Sequence, residues 1–435
     1  MKLPEKAPDW TTINLHEIAI SEDMSSIMQK ANREYLYWDR FKYIVPEGIK
    51  KEQAWVFLKL QRSANMRNIA LKDNSNNAFK FWIPNAAMEL LHEIDKDAGG
   101  MIVTENPSIY ASEKKLYLMK SIVEEAIASS QIEGAVTTRQ AAKEMFRAGR
   151  KPKDRSEQMI YNNYLTISKI KSLIDRPLKA EMLCDLQMSM THDTLDNPEH
   201  SGRFRQAGDQ PVCVYNYEGD ILHSPPPPQL ISDFVNNLCS FANKNDGEFI
   251  HPVVKAIILH FWLAYIHPFN DGNGRTARAL FYWYMLKSKY WLFEYLSISR
   301  IIIRTRNQYY RSFLYSEIDA GDMTYFIVYH LRAISAALKD LKRYIERKQA
   351  ELSDAALNWK NLPALNYRQK DIIKKALENN KLAFTLKPHM QKFNVVHQTA
   401  RTDFLELCKA GLFKRFKQGK KHFFIAAEDL DKKIS

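Results

Sequence analysis

Cysteine is scarce, with only Cys184, Cys213, Cys239 and Cys408 in 435 residues. They form neither a CxxC pair nor a regular framework, which argues against a zinc ribbon or a disulfide scaffold and fits a reducing cytosol. Glycine is also sparse: 14 in 435 residues, against an ordinary share of ~7%. That favours helices over a turn-rich β architecture. The most apolar run, "AIILHFWLAYI" at 256–266, is too short to span a bilayer. The opening "MKLPEKAPDW" has no apolar signal-peptide core. Internal repeats and low-complexity tracts are missing, as is the G-x-x-x-x-G-K-[ST] loop of P-loop nucleotide binders. A soluble, cytoplasmic protein that does not engage membranes is expected.

Positive charge is what the chain has in excess. The net charge is +13, concentrated in "RKPKDR" at 150–155, "LKDLKRYIERK" and "LFKRFKQGKKHFF". Such clusters suit phosphate-bearing partners, a nucleotide or a nucleic acid, although a solvated basic surface accounts for them equally well. The length suggests two to four domains at the usual ~100–200 residues each.

The first hundred residues mix patterns: "KEQAWVFLKLQRSAN" reads as a helix and "NAFKFWIP" as a short strand. Helical periodicity then runs from about Lys114 to Arg347. "EKKLYLMKSIVEEAIASSQIEG" should stop at Gly134, a helix terminator. The period fails between Ser201 and Pro228, where "QPVCVYNYEGDILHSPPPP" suggests a β-hairpin with a rigid exit. "HPVVKAIILHFWLAYI" is apolar on every face and marks a buried central helix.

The densest chemistry follows that helix, in "HPFNDGNGRTAR" at 267–278. A Gly-rich loop feeding a helix N-terminus points backbone N–H groups at one spot and binds anions, phosphates above all. Gly272 and Gly274 permit close backbone approach. Arg275 and Arg278, three residues apart in the first turn, add charge at an already positive helix end, which suits a polyanion such as a triphosphate. Asp271, the only carboxylate in the loop, is placed to hold Mg²⁺ beside phosphates, or to cap the helix. His267 is the one group here able to take a proton near neutral pH.

This stretch resembles, without departure, the Fic motif H-x-F-x-[DE]-G-N-G-R-x-x-R. The surrounding "SGRFRQ" at 201–206, the hairpin, "PPPP" and "IHPF" fall in the order of Fic domains. The resemblance covers roughly residues 100–345, and the N-terminal segment also resembles that of bacterial Fic proteins. It implies a mainly α fold: an N-terminal α+β region at 1–100, a helical Fic domain with a β-hairpin flap at 101–347, a linker at 348–365 and a winged helix at 366–435. It further implies AMP transfer from ATP to Ser, Thr or Tyr hydroxyls of a protein. In that family pattern His267 is the base and Asp271 holds Mg²⁺ on the α and β phosphates. Asn273 lines the anion hole with the Gly272 and Gly274 amides, Arg275 grips phosphates, Arg278 meets the γ-phosphate, and Phe269 anchors the loop.

"SSQIEG" at 129–134 likewise resembles the family's inhibitory motif [ST]-x-x-x-E-[GN]. The resemblance implies that Ser129, Glu133 and Gly134 form a brake, with Glu133 pairing with Arg278 and blocking the γ-phosphate. Arg278 without ATP needs some partner in any case. Some relatives with such a Glu remove AMP instead, and a few use another nucleotide or phosphodiester donor. The stretch from Gln210 to Tyr217, with Val212, Val214 and Tyr215, resembles the family's flap, an exposed strand edge that holds a target by β-augmentation. It also reads as a plain structural hairpin.

In the tail, three helical patterns followed by a basic hairpin describe a winged helix. Its last helix could present Gln398, Thr399 and Arg401 to DNA, with Lys417, Lys420 and Lys421 near phosphates. Winged helices also dock proteins and mediate homo-dimers, so a DNA-binding regulator with a nucleotide-sensing core stands beside the enzyme reading. The sequence selects neither the target protein nor a self-modified residue.

Overall fold

The computed structural model describes residues 3–12, 22–98, 107–215, 219–244, 248–358, 365–378, 382–393, 395–418, 421–430 and 433. It is mainly helical, and the strands among the described residues form three antiparallel pairs. The contacts divide the chain into two compact units, Met1–Leu341 and Lys342–Ser435, with the division falling inside the long helix Thr324–Asn358. Among the described residues no helix is long and apolar enough to cross a membrane.

The first unit is built around the helix Pro252–Ile266. Thirteen of its residues are buried, from Val253 to Ile266 with only Ala264 omitted, as apolarity on all faces requires. Burying side chains the size of Leu259, Phe261 and Trp262 contributes about 1.5–3 kcal/mol each. The end of this helix is therefore firmly placed. A short loop turns the chain into the helix Asn273–Lys287, which packs along the central one. Ile231–Asn243 covers the first of the two, while Ala180–Thr191 and Arg155–Ile170 cover the second. Pro107–Ile132 lies against Arg155–Ile170 and Ser299–Arg304.

The N-terminal part of this unit contributes the helices Glu22–Glu34, Lys51–Ser63 and Asn85–Ala98 and the hairpin Arg67–Lys72 with Ala78–Phe81. Asp73 shapes the hairpin turn by accepting from the backbone N–H groups of Ser75 and Asn77, both at 2.8 Å. The second strand is held to a later loop, with Lys80 N donating to Gly321 O at 2.9 Å and Met323 N to Lys80 O at 2.8 Å. Gly321 has φ +74 and sits on the Phe79 backbone, so a side chain there would be both strained and crowded.

The second unit contains the helices Tyr367–Glu378, Leu386–Phe393 and His397–Lys409, then the hairpin Phe413–Gln418 with Lys421–Ala426. Phe384 adds an antiparallel bridge to Phe424. Ile373, Ala376, Phe404, Leu407 and Phe424 form its apolar core. Asp403, 2% exposed, accepts from the Arg368 guanidinium at 2.7 and 2.9 Å, from Asn366 at 2.8 Å, and lies 3.0 Å from His389 Nε2. Gln398 and Arg401 are exposed on that helix and Thr399 is half-buried. Lys417 is exposed on the hairpin, while Lys420 and the Lys421 side chain lie outside the described residues.

Candidate active site

His267 ends the central helix with φ 49 and ψ 56, left-handed values that a non-glycine residue adopts at a cost of about 1–2 kcal/mol. The strain turns the chain sharply, so that the ring is presented at the helix end, half-buried. Its Nδ1 lies 3.2 Å from Ala264 O. A carbonyl only accepts, so Nδ1 carries the proton and Nε2 keeps the lone pair. Burial, the nearby His223 and Arg205 charges pull the His267 pKa down to about 4, against the opposing pull of Ala264 O and Glu133. The imidazole is thus a neutral base across the physiological range.

The loop after His267 is closed by its own side chains. Asn273 Oδ1 accepts from Phe269 N at 2.9 Å, and Asn273 Nδ2 donates to Phe269 O at 2.7 Å. This two-way clamp spends the side-chain amide on shaping the loop, while the Asn273 backbone N–H stands at the first position of the helix. Phe269 is fully buried and packs near Phe204, with ring centroids 5.2 Å apart, as an anchor should. Gly272 has φ +85, and a Cβ on it would lie 2.8 Å from Thr191 Cγ2. No other residue fits there.

Arg275 and Arg278 leave the same helical turn for different partners. The Arg275 side chain is fully buried, with Nη1 donating to Met190 O at 2.8 Å and Nη2 3.5 Å from Asp271 Oδ2. Burial lowers its pKa from the ordinary arginine value. Arg278 donates from Nε to Ser129 Oγ and from Nη2 to Ser129 O and Glu133 Oε1, each at 2.9 Å. Burial works against its charge, but Glu133 outweighs that and raises the pKa. Burial likewise favours the neutral form of Glu133, and Arg278 again prevails, holding the carboxyl below its ordinary value. Arg275 Nε and Arg278 Nη1 are buried without a hydrogen-bond partner.

Glu133 owes its position to the end of its helix. Gly134, at φ +96, terminates Pro107–Ile132, and Ala135 N donates back to Ser130 O at 3.0 Å. The carboxylate then rests on the first turn of Asn273–Lys287, so close to Gly274 that a Cβ there would lie 2.7 Å from Glu133 Cδ. A chain-borne anion occupies the N-terminus of the loop-to-helix junction, where orphan N–H groups and the helix dipole favour negative charge.

Asp271 has a 43% exposed side chain, and its Oδ1 accepts from Gly272 N at 2.5 Å. Among the described residues no cluster of three or more His, Cys, Asp or Glu is arranged to hold a metal ion. A lone exposed carboxylate beside an anion site fits Mg²⁺ carried largely by phosphates and water.

Among the described residues the hairpin pairs Val214–Tyr215 with Ile221–His223. Gln210 and Val212 precede the paired strand, Gln210 being exposed and Val212 half-buried, and Tyr217 lies outside the described residues. Tyr215 is 57% exposed.

Three residues with no role assigned from the sequence support the site. Arg205 is buried and donates to His267 O at 2.7 Å, Pro226 O at 3.0 Å and Ile266 O at 3.3 Å, taking up carbonyls at the end of the central helix. Gln187 donates to Asp271 O at 3.1 Å and accepts from Gly202 N at 2.7 Å. His223 joins the flap to the same helix end. Arg205 lies within "SGRFRQ", which drew notice only for its place in the chain order.

Residues 177–285 match the model of the Fic/DOC family. Similar proteins include protein adenylyltransferase Fic of Nematostella vectensis, 45% identical over 58 residues, which is 13% of this chain and 14% of that protein. Protein adenylyltransferase fic-1 of Caenorhabditis elegans is 30% identical over 135 residues, 31% of this chain and 24% of that one. The aligned part thus covers less than a quarter of either relative. Among solved structures, a Fic family protein from Desulfovibrio desulfuricans G20 aligns with 80% of this chain and 97% of its own, at 20% identity and a TM-score of 0.53. Fic-1 from C. elegans aligns with 76% of this chain and 86% of its own, at 17% identity and a TM-score of 0.52. These two likenesses concern the fold.

Proposed function

Because the chain carries a Fic domain at residues 177–285, we propose that it is a protein adenylyltransferase, moving AMP from ATP to a Ser, Thr or Tyr hydroxyl and restrained by Glu133. The observation that carries this reading is the Glu133 carboxylate, seated on Gly274 and ion-paired to Arg278 at 2.9 Å. It marks an anion site one helix turn deep, next to a neutral imidazole.

In this reaction His267 Nε2 accepts the proton of the target hydroxyl as its oxygen attacks the α-phosphorus. The bond from that phosphorus to the bridging oxygen breaks, and pyrophosphate leaves. The first-turn N–H groups of Asn273 and Gly274 face the developing charge. Arg278 turns from Glu133 to the γ-phosphate, and Arg275 supports the phosphates from beneath. Asp271 would hold Mg²⁺, which supplies charge neutralisation to the triphosphate. Val214 and Tyr215 present the flap edge on which a target segment, or a segment of a second copy, would lie.

With the ion pair closed, Arg278 is engaged and Gly274 is covered, so productive ATP seating requires Glu133 to move. The Glu133 side chain is 29% exposed, so water reaches it. That favours AMP removal, with this carboxylate orienting the water, as the second reading. Incubation with α-³²P-ATP of the wild type, Glu133→Gly and Glu133→Gly/His267→Ala tests the first. Label that appears on protein with Glu133→Gly and vanishes with the double variant supports it. No His267-dependent transfer to any protein, with GTP, UTP and CDP-choline tried in parallel, overturns it.

The second unit has the helix and hairpin order of a winged helix, and exposed Gln398, Arg401, Lys414, Arg415 and Lys417 suit DNA phosphates. In a gel-shift titration, binding that weakens with salt and with Arg401→Ala supports DNA as a partner. Dimer formation without DNA binding favours the alternative, a self-association module.

A further inference from the structure

His223 is the last residue of the flap's return strand, Ile221–His223, and its side chain is 9% exposed. Nδ1 lies 2.7 Å from Glu317 Oε2, and Nε2 lies 2.8 Å from Tyr265 O. A carboxylate and a carbonyl both only accept, so both ring nitrogens must donate and the ring is an imidazolium. Burial opposes that charge, but Glu317 and the Tyr265 carbonyl outweigh it and raise the His223 pKa. Tyr265 stands two residues before His267, in the last turn of the central helix, where carbonyls lack a helical donor and a cation complements the dipole. Glu317 belongs to the helix Arg306–Ile318. One ring therefore ties the flap to two helices, one of which bears the base.

We propose that His223 is a positioning residue: it pins the flap's return strand to the last turn of the base-bearing helix and to Glu317, so that flap seating and the state of His267 are coupled. The inference rests on the reading of His267 as the base. The groups facing this ring are Glu317 from Arg306–Ile318, Tyr265 and His267 from the end of the central helix, and Arg205 from the preceding loop. Glu133 from the inhibitory helix faces His267. The His223 charge stands next after burial among the causes that depress His267. Loss of that charge therefore raises the affinity of His267 for a proton, and loss of the ring releases the strand.

Two variants separate the two effects. His223→Phe keeps an aromatic ring against Tyr265, whose centroid lies 5.1 Å away, and removes both hydrogen bonds. Glu317→Gln leaves a partner for a neutral His223. Histidine-selective ¹³C NMR without nucleotide should show the His267 titration moved up by on the order of half a unit in both variants. Amide hydrogen exchange at 214–215 and 221–223 should rise about tenfold in His223→Phe, while that of Pro252–Ile266 stays unchanged. A His267 titration that moves in neither variant overturns the proposal, as does unchanged exchange in the flap. Neither measurement involves AMP transfer, so both stand if the released enzyme transfers nothing, an outcome that would instead sink the adenylyltransferase reading.

Discussion

Glu133 and Arg278, 145 positions apart in sequence, meet at 2.9 Å over the Cα of Gly274. On the proposed reading the contact is competitive, because the carboxylate uses the same guanidinium and the same helix end that a phosphate would use. Glu133→Gly removes the competitor and leaves Ser129 Oγ and O to hold the Arg278 side chain in place. ATP binding and AMP transfer are expected to rise on the order of 5- to 150-fold, the usual span of a coupling free energy. Calorimetric titration with ATP and transfer assays check this, and unchanged values in both would remove the brake.

The same pair fixes how acid would act on the proposed restraint. Glu133 has a pKa lowered from 4.5 in the closed state, so the closed state gains from ionisation above pH 4.5 and loses that gain only as pH falls through the lowered value. Between pH 5 and 8 the ratio of Glu133→Gly to wild-type activity is therefore expected to stay constant. A ratio that collapses near pH 6 would mean another group carries the restraint.

His267 gives a second pH signature. Its pKa is depressed to about 4, so in the free enzyme it is a competent base at every pH above that. Removing Glu133, which acts to raise it, pushes it no higher. The acid limb of kcat/KM for Glu133→Gly is expected near pH 4, in contrast to about 6.5 for an unperturbed histidine. An acid limb at 6 to 7 would show that the ring is solvated in solution and that the burial seen here is not kept.

The loop and the segment that carries Glu133 are legible because each is a local pattern: 267–278 and 129–134 fix their residue types by spacing alone. Their meeting was legible only through family resemblance. Arg205, Gln187 and His223 left no local signature. Each acts through a single side chain on backbone atoms 42 or more positions away: Arg205 on His267 O, Gln187 on Asp271 O, and His223 on Tyr265 O. The resemblance places Asn273 in an anion hole and says nothing of what its side chain does. Its i−4 reach to Phe269 closes the loop, a demand of buried backbone groups that water cannot serve. Gln210 to Val212 precede the paired strand among the described residues, since β-prone residues such as Val212 signal extension without signalling a partner.

That clamp makes Asn273 a stability residue as well as a site residue. Asn273→Ala leaves Phe269 N and O unpaired in a buried loop, at a cost of about 1–3 kcal/mol. Gly272→Ala adds a strained φ and a clash with Thr191, and is expected to cost at least as much. Denaturant unfolding should show both, with transfer activity in the Glu133→Gly background falling further than stability alone explains. If either variant matches its parent in unfolding midpoint, the loop is not held as described.

Asp403 plays the corresponding part in the second unit. It lies on the helix that also exposes Gln398 and Arg401, but it points inward and gathers Arg368, Asn366 and His389. Its pKa is lowered: burial opposes the charge and Arg368, His389 and Asn366 outweigh it. The stabilisation is therefore present above the ordinary carboxylate range and fades as pH falls through the lowered value. Asp403→Ala strands a mostly buried guanidinium and is expected to destabilise this unit by about 3 kcal/mol. Hydrogen exchange across Tyr367–Glu378 and His397–Lys409 should rise steeply in the full-length variant, while exchange in Pro252–Ile266 holds. Arg401→Ala, on the exposed face of the same helix, should leave exchange unchanged. Any loss of DNA affinity in Arg401→Ala then belongs to the surface and not to the fold.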